Sequence, residues 1–494
     1  MSKLIPDIFD LIIRELGDDY GALFSCLLVN KLWCKLTIPI LWRDCLGRKP
    51  ELTPTIRIRL LIRYGIRSLL REPHEKKILL VKILFTFLSE ESKNLLIENG
   101  IDLSFIPTQK PLFNYLCFCK SIATFDVAEY IKGCFDPPLS KDQEQIMEEE
   151  FNNMLFSQCS YLSYLKISHE NYKKHEIILN LRLKDNLSLS NIVELVCGQY
   201  VDEKFFYSLA ETCVNIRKLE LKGNNRNDNQ GLIKLIEVQN KLEYFIYSGN
   251  NGRNWDEFCE KMGQTLIKHK NTIKHIEAKS RLCIPLSILN SFVNLESLML
   301  GYSTSTMNGL HSVKLPKLQI LRVCYLTEVK ELIQNTSGYL KTIKIHNQKA
   351  ENLKAEDLIQ VINAIYQNCP KLEYLCIPYA NTIDDALGDL FINCNQLKDI
   401  EIYDGYPDDP LNGDIVLKIL LKTNPKKLQR IEMKGEWNFS VEGFEEFLDN
   451  LEERNYSIYF RFGLNHHIWD GIFSDVFEYY VYENVLKTDP LNYL

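Results

Sequence analysis

The chain lacks a paired C-x-x-C: among its fifteen cysteines the nearest approach is C-F-C at Cys117 and Cys119. A zinc site draws on ligands paired at short spacing, with a second pair to match. Of nine histidines, only His466 and His467 stand close together. No metal and no cofactor are therefore expected. No apolar run reaches the ~18 residues of a membrane-crossing helix. The start, M-S-K-L-I-P-D-I-F-D, carries acids among its apolar residues and has neither a signal h-region nor a transit-peptide bias. The expectation is a reducing compartment, cytoplasm and/or nucleus, with thiols acting as small core hydrophobes. A basic surplus is also missing: the net charge is −7, which argues against nucleic acid as a main partner. G-x-S-x-G, G-x-x-x-x-G-K-[ST] and H-E-x-x-H do not occur, and G-D-D-Y-G-A-L-F lacks phosphate-loop spacing. The chain is not expected to be an enzyme.

What is present is an ordinary globular mixture of 46% hydrophobic and 25% charged residues in 494. That length predicts several domains or one repeat array. Ile5, Ile8, Phe9, Ile12 and Leu16 fall at helical spacing, Pro6 suits a first turn, and Gly17, Asp18 and Asp19 end the helix. Y-G-A-L-F-S-C-L-L-V-N-K-L-W-C-K-L-T-I-P-I-L-W predicts two more short helices, with a break near Pro39. Cys26, Cys34 and Cys45 in this region read as small packing residues. Residues 46–158 read as a mostly helical connector, with Glu148, Glu149 and Glu150 on a solvated helix face.

From Cys159 the chain repeats itself. The motif is an apolar residue at position 0, another at 3 and another at 5, often preceded by cysteine at −3. Its first positions are Leu162, Ile192, Ile216, Leu242, Ile273, Leu295, Leu318, Leu340, Leu372, Leu397 and Leu428. The steps run from 22 to 32 residues, a period typical of leucine-rich repeats. Positions 0, 3 and 5 should point inward, where only stacking of neighbours buries them. Positions 2, 4 and 6 should point outward along a parallel sheet. Helical segments such as V-D-E-K-F-F-Y-S-L-A-E-T-C fill the longer steps, and the shorter steps leave room for one turn.

Two stretches resemble a known family. L-I-P-D-I-F-D-L-I-I-R-E-L followed by L-F-S-C-L-L-V-N-K-L-W-C-K-L-T-I-P-I-L-W is similar to the F-box motif. The matching residues are Leu4, Pro6, Ile8, Ile12, Leu16, Leu23, Leu27, Val29, Trp33, Leu36, Leu41 and Trp42. Ile5 is inserted where the family has Leu-Pro in sequence. The whole resembles fungal F-box proteins with cysteine-containing leucine-rich repeats. One departure is that only Asn224 and Asn250 supply the asparagine expected at position 8.

The resemblance implies an α/β architecture. Residues 1–45 would be a three-helix F-box and 46–158 the connector. Residues 159–450 would form a right-handed leucine-rich-repeat solenoid of about eleven repeats, and 451–494 a C-terminal cap, its helix following His466 and His467. It also implies a function: the F-box docks on a Skp-type adaptor, and through it a cullin, while the repeats hold a protein substrate for ubiquitylation. Leu4, Ile5, Pro6, Ile8, Leu27, Val29, Trp33, Leu41 and Trp42 would face the adaptor. Tyr164, Lys218, Glu220, Tyr244, His275, Arg322, Lys344, Tyr374, Glu401 and Arg430 would line the concave substrate face. Both charge signs occur there, so a purely electrostatic substrate is not indicated, although Asp399, Glu401, Asp404, Asp408 and Asp409 could suit a basic segment. The alternative is a non-enzymatic repeat scaffold that binds a protein without promoting its ubiquitylation. Neither nucleic acid nor membrane is expected as a partner.

Overall fold

The computed structural model describes residues 4–16, 19–46, 78, 80–107, 111–167, 187–198, 201, 203–222, 229–249, 255–301, 309–326, 328–346, 355–380, 382–404, 411–454, 456–462 and 471–487. The chain forms two compact units, Met1–Leu242 and Glu243–Leu494.

The first unit opens with three helices, α1 (Leu4–Glu15), α2 (Tyr20–Leu27) and α3 (Lys31–Leu41). Ile13, Leu23, Cys26 and Ile38 are buried among them. Asp19 starts α2 by accepting the Ala22 N–H at 3.0 Å. The break expected near Pro39 lies instead at Leu28–Asn30, and α3 runs through Pro39. Two forces decide this. The Asn30 side chain accepts the N–H groups of Leu32 and Trp33 at 2.9 and 3.1 Å, satisfying the donors a helix start leaves open. Pro39 sits in the last turn, where it removes only one intrahelical hydrogen bond.

Helix α3 leads directly into a sheet. Leu46 bridges Ile122 in parallel register. The Arg43 carbonyl accepts from Lys120 at 2.8 Å and the Leu46 carbonyl from Ala123 at 2.8 Å. Trp42 stacks on Tyr115 with ring centroids 4.0 Å apart. The connector region then packs around Phe85, whose ring lies 5.2 Å from Phe105 and 4.9 Å from Phe151. Ser140 and Gln143 close a capping box on the helix Lys141–Gln158. Glu148, Glu149 and Glu150 on that helix are half-buried rather than solvated, and burial pushes the Glu148 carboxyl above its ordinary range.

Strands β1 (Ser121–Ala123), β2 (Tyr164–Ile167), β3 (Glu194–Cys197) and β4 (Lys218–Lys222) pair in parallel and in chain order. The second unit repeats the arrangement. Its strands are β5 (Tyr244–Ser248), β6 (His275–Ala278), β7 (Ser297–Leu300), β8 (Ile320–Val323), β9 (Thr342–Ile345), β10 (Tyr374–Tyr379), β11 (Asp399–Asp404), β13 (Arg430–Lys434), β15 (Ile458–Phe462) and β16 (Leu486–Lys487). Each pairs in parallel with the next. A separate two-stranded pair joins β12 (Leu411–Asn412) to β14 (Trp437–Asn438).

All eleven position-0 residues predicted from the sequence are buried, as are their partners at positions 3 and 5, such as Leu298 and Leu300. Burying each such side chain contributes about 1.5–3 kcal/mol, available only when neighbours stack. The backbone repeats with the same period. In most repeats one carbonyl accepts two N–H groups at the next strand, as Glu373 does from Lys398 at 2.8 Å and Asp399 at 3.1 Å. The longer steps hold helices Glu203–Thr212, Trp255–Ile267, Ala355–Asn368 and Gly413–Thr423. Among the described residues, the steps of 22 and 23 residues hold the 3-10 turns Leu286–Ser291 and Leu310–Ser312 and the short helix Val329–Gln334. The fold is thus α/β and of the leucine-rich-repeat kind.

The sheet pattern also runs past the repeats read from the sequence. The Lys120 carbonyl accepts from Ser163 and Tyr164 at 2.8 and 3.0 Å, which places buried Cys119 at position 0 of an earlier repeat. At the other end β15 carries buried Phe460, with Ser457 in leucine's place. The helix Gly471–Tyr482 packs on Val441–Glu453, and the Tyr480 hydroxyl donates to Asp449. His466, His467, Asn224, Asn250, Asp408 and Asp409 lie outside the described residues.

Candidate functional site

Two surfaces carry the side chains singled out from the sequence. The first is on the three N-terminal helices. Leu4, Ile5 and Pro6 open α1. Ile8 and Val29 are exposed, while Leu27, Trp33, Leu41 and Trp42 are half-buried. Trp33 lies 5.1 Å from the Phe9 ring. Trp42, stacked on Tyr115, joins α3 to the connector; such a pair adds about 0.5–1.5 kcal/mol beyond its area. The largest exposed apolar groups are ones the motif did not single out as adaptor-facing: Leu28 at 82%, Phe24 at 64% and Leu11 at 63% exposure. Leu32 is exposed as well. The signal for them was helical spacing, since Phe24 and Leu28 stand four apart and Leu11 follows Ile8 by three.

Cys26 is buried, and Cys34 and Cys45 are half-buried. The Cys119 thiol, beside Cys159 and Cys45, is held below its ordinary range by the hydrogen bond with Cys159, which pushes Cys159 up. Among the described residues no group of three His, Cys, Asp or Glu side chains is placed to hold a metal ion.

The second surface is the outward face of the sheet, at positions 2, 4 and 6. In the first unit Tyr164 is half-buried, Lys218 pairs with Glu194 at 2.7 Å, and Glu220 pairs with Lys222 at 3.6 Å. In the second unit Tyr244 lies 5.6 Å from the His275 ring, and His275 Nε2 is 3.7 Å from Glu277. The nearby His275 ring outweighs burial and holds the Glu277 carboxyl below its ordinary range.

The densest group spans β8 to β15. Register places Arg322, Lys344, Cys376, Glu401, Glu432 and Arg461 in one row across the strands. Lys344 Nζ sits 4.5 Å over the Tyr374 ring. The Tyr374 hydroxyl donates to Glu401 at 2.6 Å, and Lys434 reaches the other Glu401 oxygen at 2.6 Å. Glu432 takes Arg430 at 3.2 Å, Lys434 at 3.5 Å and Arg461 at 3.6 Å. Arg430 lies over the Tyr459 ring at 4.9 Å. His346 stacks on Tyr403 at 5.9 Å, and the Tyr403 hydroxyl donates to the Ile345 carbonyl at 2.8 Å.

The electrostatics follow from that packing. Burial pushes the Glu401 carboxyl up, but the hydrogen bonds from Lys434 and Tyr374 outweigh it and leave it below its ordinary range. Burial and the Arg322 cation push His346 down. The Cys376 thiol is pushed well up by burial and by Glu401, which keeps it protonated. Glu401 is therefore a committed counter-charge and does not offer a basic segment an open acid patch. Of the expected face residues, Arg322, Lys344, Tyr374, Glu401 and Arg430 come together here. Tyr164, Lys218 and Glu220 belong to the first unit, and Tyr244 and His275 stand on β5 and β6. Tyr403, Lys434, Tyr459 and Arg461 were missed. The first two were legible at position 6 of their repeats; the last two ride on the strand hidden by Ser457.

No protein-family model matches the chain, and no curated protein matches it. Among solved structures, a chain from the complex of Rad7 and Elc1 in yeast is similar, with a TM-score of 0.39 and 14% identity over 89% of this chain and 94% of that one. The leucine-rich repeat-containing protein LegL7 from Legionella pneumophila is similar with a TM-score of 0.33 and 12% identity, over 58% of this chain and 89% of its own. The fold described above rests on this chain's own strand register and burial.

Proposed function

We propose that the chain is the substrate-recognition subunit of a Skp/cullin/F-box ubiquitin ligase. Its first three helices dock on a Skp-type adaptor, and its repeat sheet holds a protein substrate. The observation that carries this reading is the apolar surface of Leu11, Phe24, Leu28, Val29 and Leu32, exposed on helices whose residues follow the F-box spacing. A unit this small buries too little of its own apolar surface, and apolar side chains grouped on an exposed face mark an interaction site. The join from residues 43–46 to β1 also supports the reading, because it ties the docking helices to the sheet of their own unit. Ubiquitin transfer then gains from proximity, which makes attack by a substrate lysine nearly unimolecular; the chain supplies no chemistry of its own.

The test is co-purification of the full-length chain with a Skp-type adaptor. The wild type should bring the adaptor with it. The Leu28→Asp, Val29→Asp double variant should lose it, as should Leu4→Ala with Pro6→Ala. A folded wild-type chain that leaves the adaptor behind overturns the proposal. In a reconstituted cullin complex a captured partner should gain ubiquitin; stable binding without transfer identifies a scaffold instead.

A further inference from the structure

The outward face of β8 to β15 holds both charge signs, but at different depths. The side chains of Glu401 and Glu432 are only 9% and 11% exposed, whereas those of Arg430, Lys434 and Arg461, which pair with them, are 43%, 49% and 48% exposed. Arg322 is exposed and Lys344 half-buried. The face positions of these strands carry five cations, Arg322, Lys344, Arg430, Lys434 and Arg461, against three acids, Asp399, Glu401 and Glu432, a surplus of 5 − 3 = 2. Asp399 is half-buried beside Arg430. Glu401 and Glu432 thus form an inner layer and Arg430, Lys434 and Arg461 an outer one. An approaching molecule meets Arg430 and Lys434 at the two ends of β13 and Arg461 on the neighbouring β15 before it meets the acids. The tyrosines stiffen the layer, with Tyr374 beneath Lys344 and Tyr459 beneath Arg430.

We infer that this face binds an acidic protein segment, rich in Asp and Glu. Its carboxylates pair from the solvent side with Arg430, Lys434 and Arg461. A guanidinium has five donors and an ammonium three, so a cation held from below keeps capacity above. The inner carboxylates pair with the cations from below. They are too deep to repel the ligand strongly. Nucleic acid fits less well: the chain's net charge is −7, and a phosphate backbone draws on a long run of cations without counter-charge. The inference names a substrate class for the receptor proposed above and rests on that reading only for what becomes of the bound segment.

The test is fluorescence anisotropy of the full-length chain with labelled poly-glutamate, alongside poly-lysine and a single-stranded oligonucleotide of matched charge. Poly-glutamate should bind, and more weakly as salt rises. The Arg430→Gln, Lys434→Gln, Arg461→Gln variant should lose about tenfold in affinity. Because that variant leaves carboxylates buried without partners, a second one guards against misfolding. Glu401→Gln with Glu432→Gln keeps every cation and should bind poly-glutamate at least as tightly as the wild type. Preference for poly-lysine, tighter binding of the oligonucleotide, or poly-glutamate binding unchanged in the folded triple variant would each overturn the inference. Poly-glutamate binding by a chain that fails to capture the adaptor would leave this inference standing and remove the ligase reading.

Discussion

Glu401 is a carboxylate buried on a face that sequence alternation assigns to solvent. Lys434 and Tyr374 stabilise its charged form, each through a 2.6 Å hydrogen bond. Its pKa in the fold lies below the ordinary 4.5. A depressed carboxyl contributes stability that is full above its unfolded pKa and is lost as pH falls through the folded one. Wild-type thermal stability should therefore drop as pH falls below about 5. In Glu401→Gln that portion of the drop should be missing, with stability at pH 7 lower by about 1–3 kcal/mol. Thermal unfolding across a pH series checks both. Alternation at positions 2, 4 and 6 is enough to assign Lys344, Tyr374, Glu401 and Arg430 to one face. It carries no information on depth, because depth depends on how long neighbouring side chains on adjacent strands lean over one another. That is why a face of mixed sign in the sequence becomes a layered one in the fold.

Helices and strands were legible where one strong signal set them. The eleven buried leucine-type positions and the helices in the longer steps followed from periodicity. The boundary of α3 did not, because the Asn30 cap prevails over the proline in the last turn. Asn30→Ala should destabilise the head by about 1 kcal/mol, measurable as earlier loss of helical circular dichroism on heating. Strands β1 and β15 were hidden for a simple reason: Cys119 and Ser457 occupy positions where the pattern demands leucine. A close approach between helices was also invisible. A Cβ on Gly231 would lie 2.2 Å from the Glu203 carbonyl oxygen. Gly231→Ala should force the helix Gln230–Glu237 away from Glu203–Thr212. The expected cost is about 1–3 kcal/mol, read as a lower denaturant midpoint with an unchanged slope.

Across the whole molecule the two units carry different surfaces. The first unit carries the exposed apolar helices and their hydrogen-bonded join to β1; the second carries the layered charged face. The F-box spacing named the first surface but chose residues by motif, so it included Trp42, which stacks on Tyr115, and passed over Phe24 and Leu28. Exposure is a property of how three helices share one core, and no single position encodes it. Docking of this surface on a Skp-type adaptor is decided by titration calorimetry of purified adaptor into the full-length chain. The wild type should form a one-to-one complex, and Leu28→Asp, Val29→Asp should form none at matched thermal stability. No heat of binding with the wild type, or an undiminished affinity in the double variant, would contradict that docking.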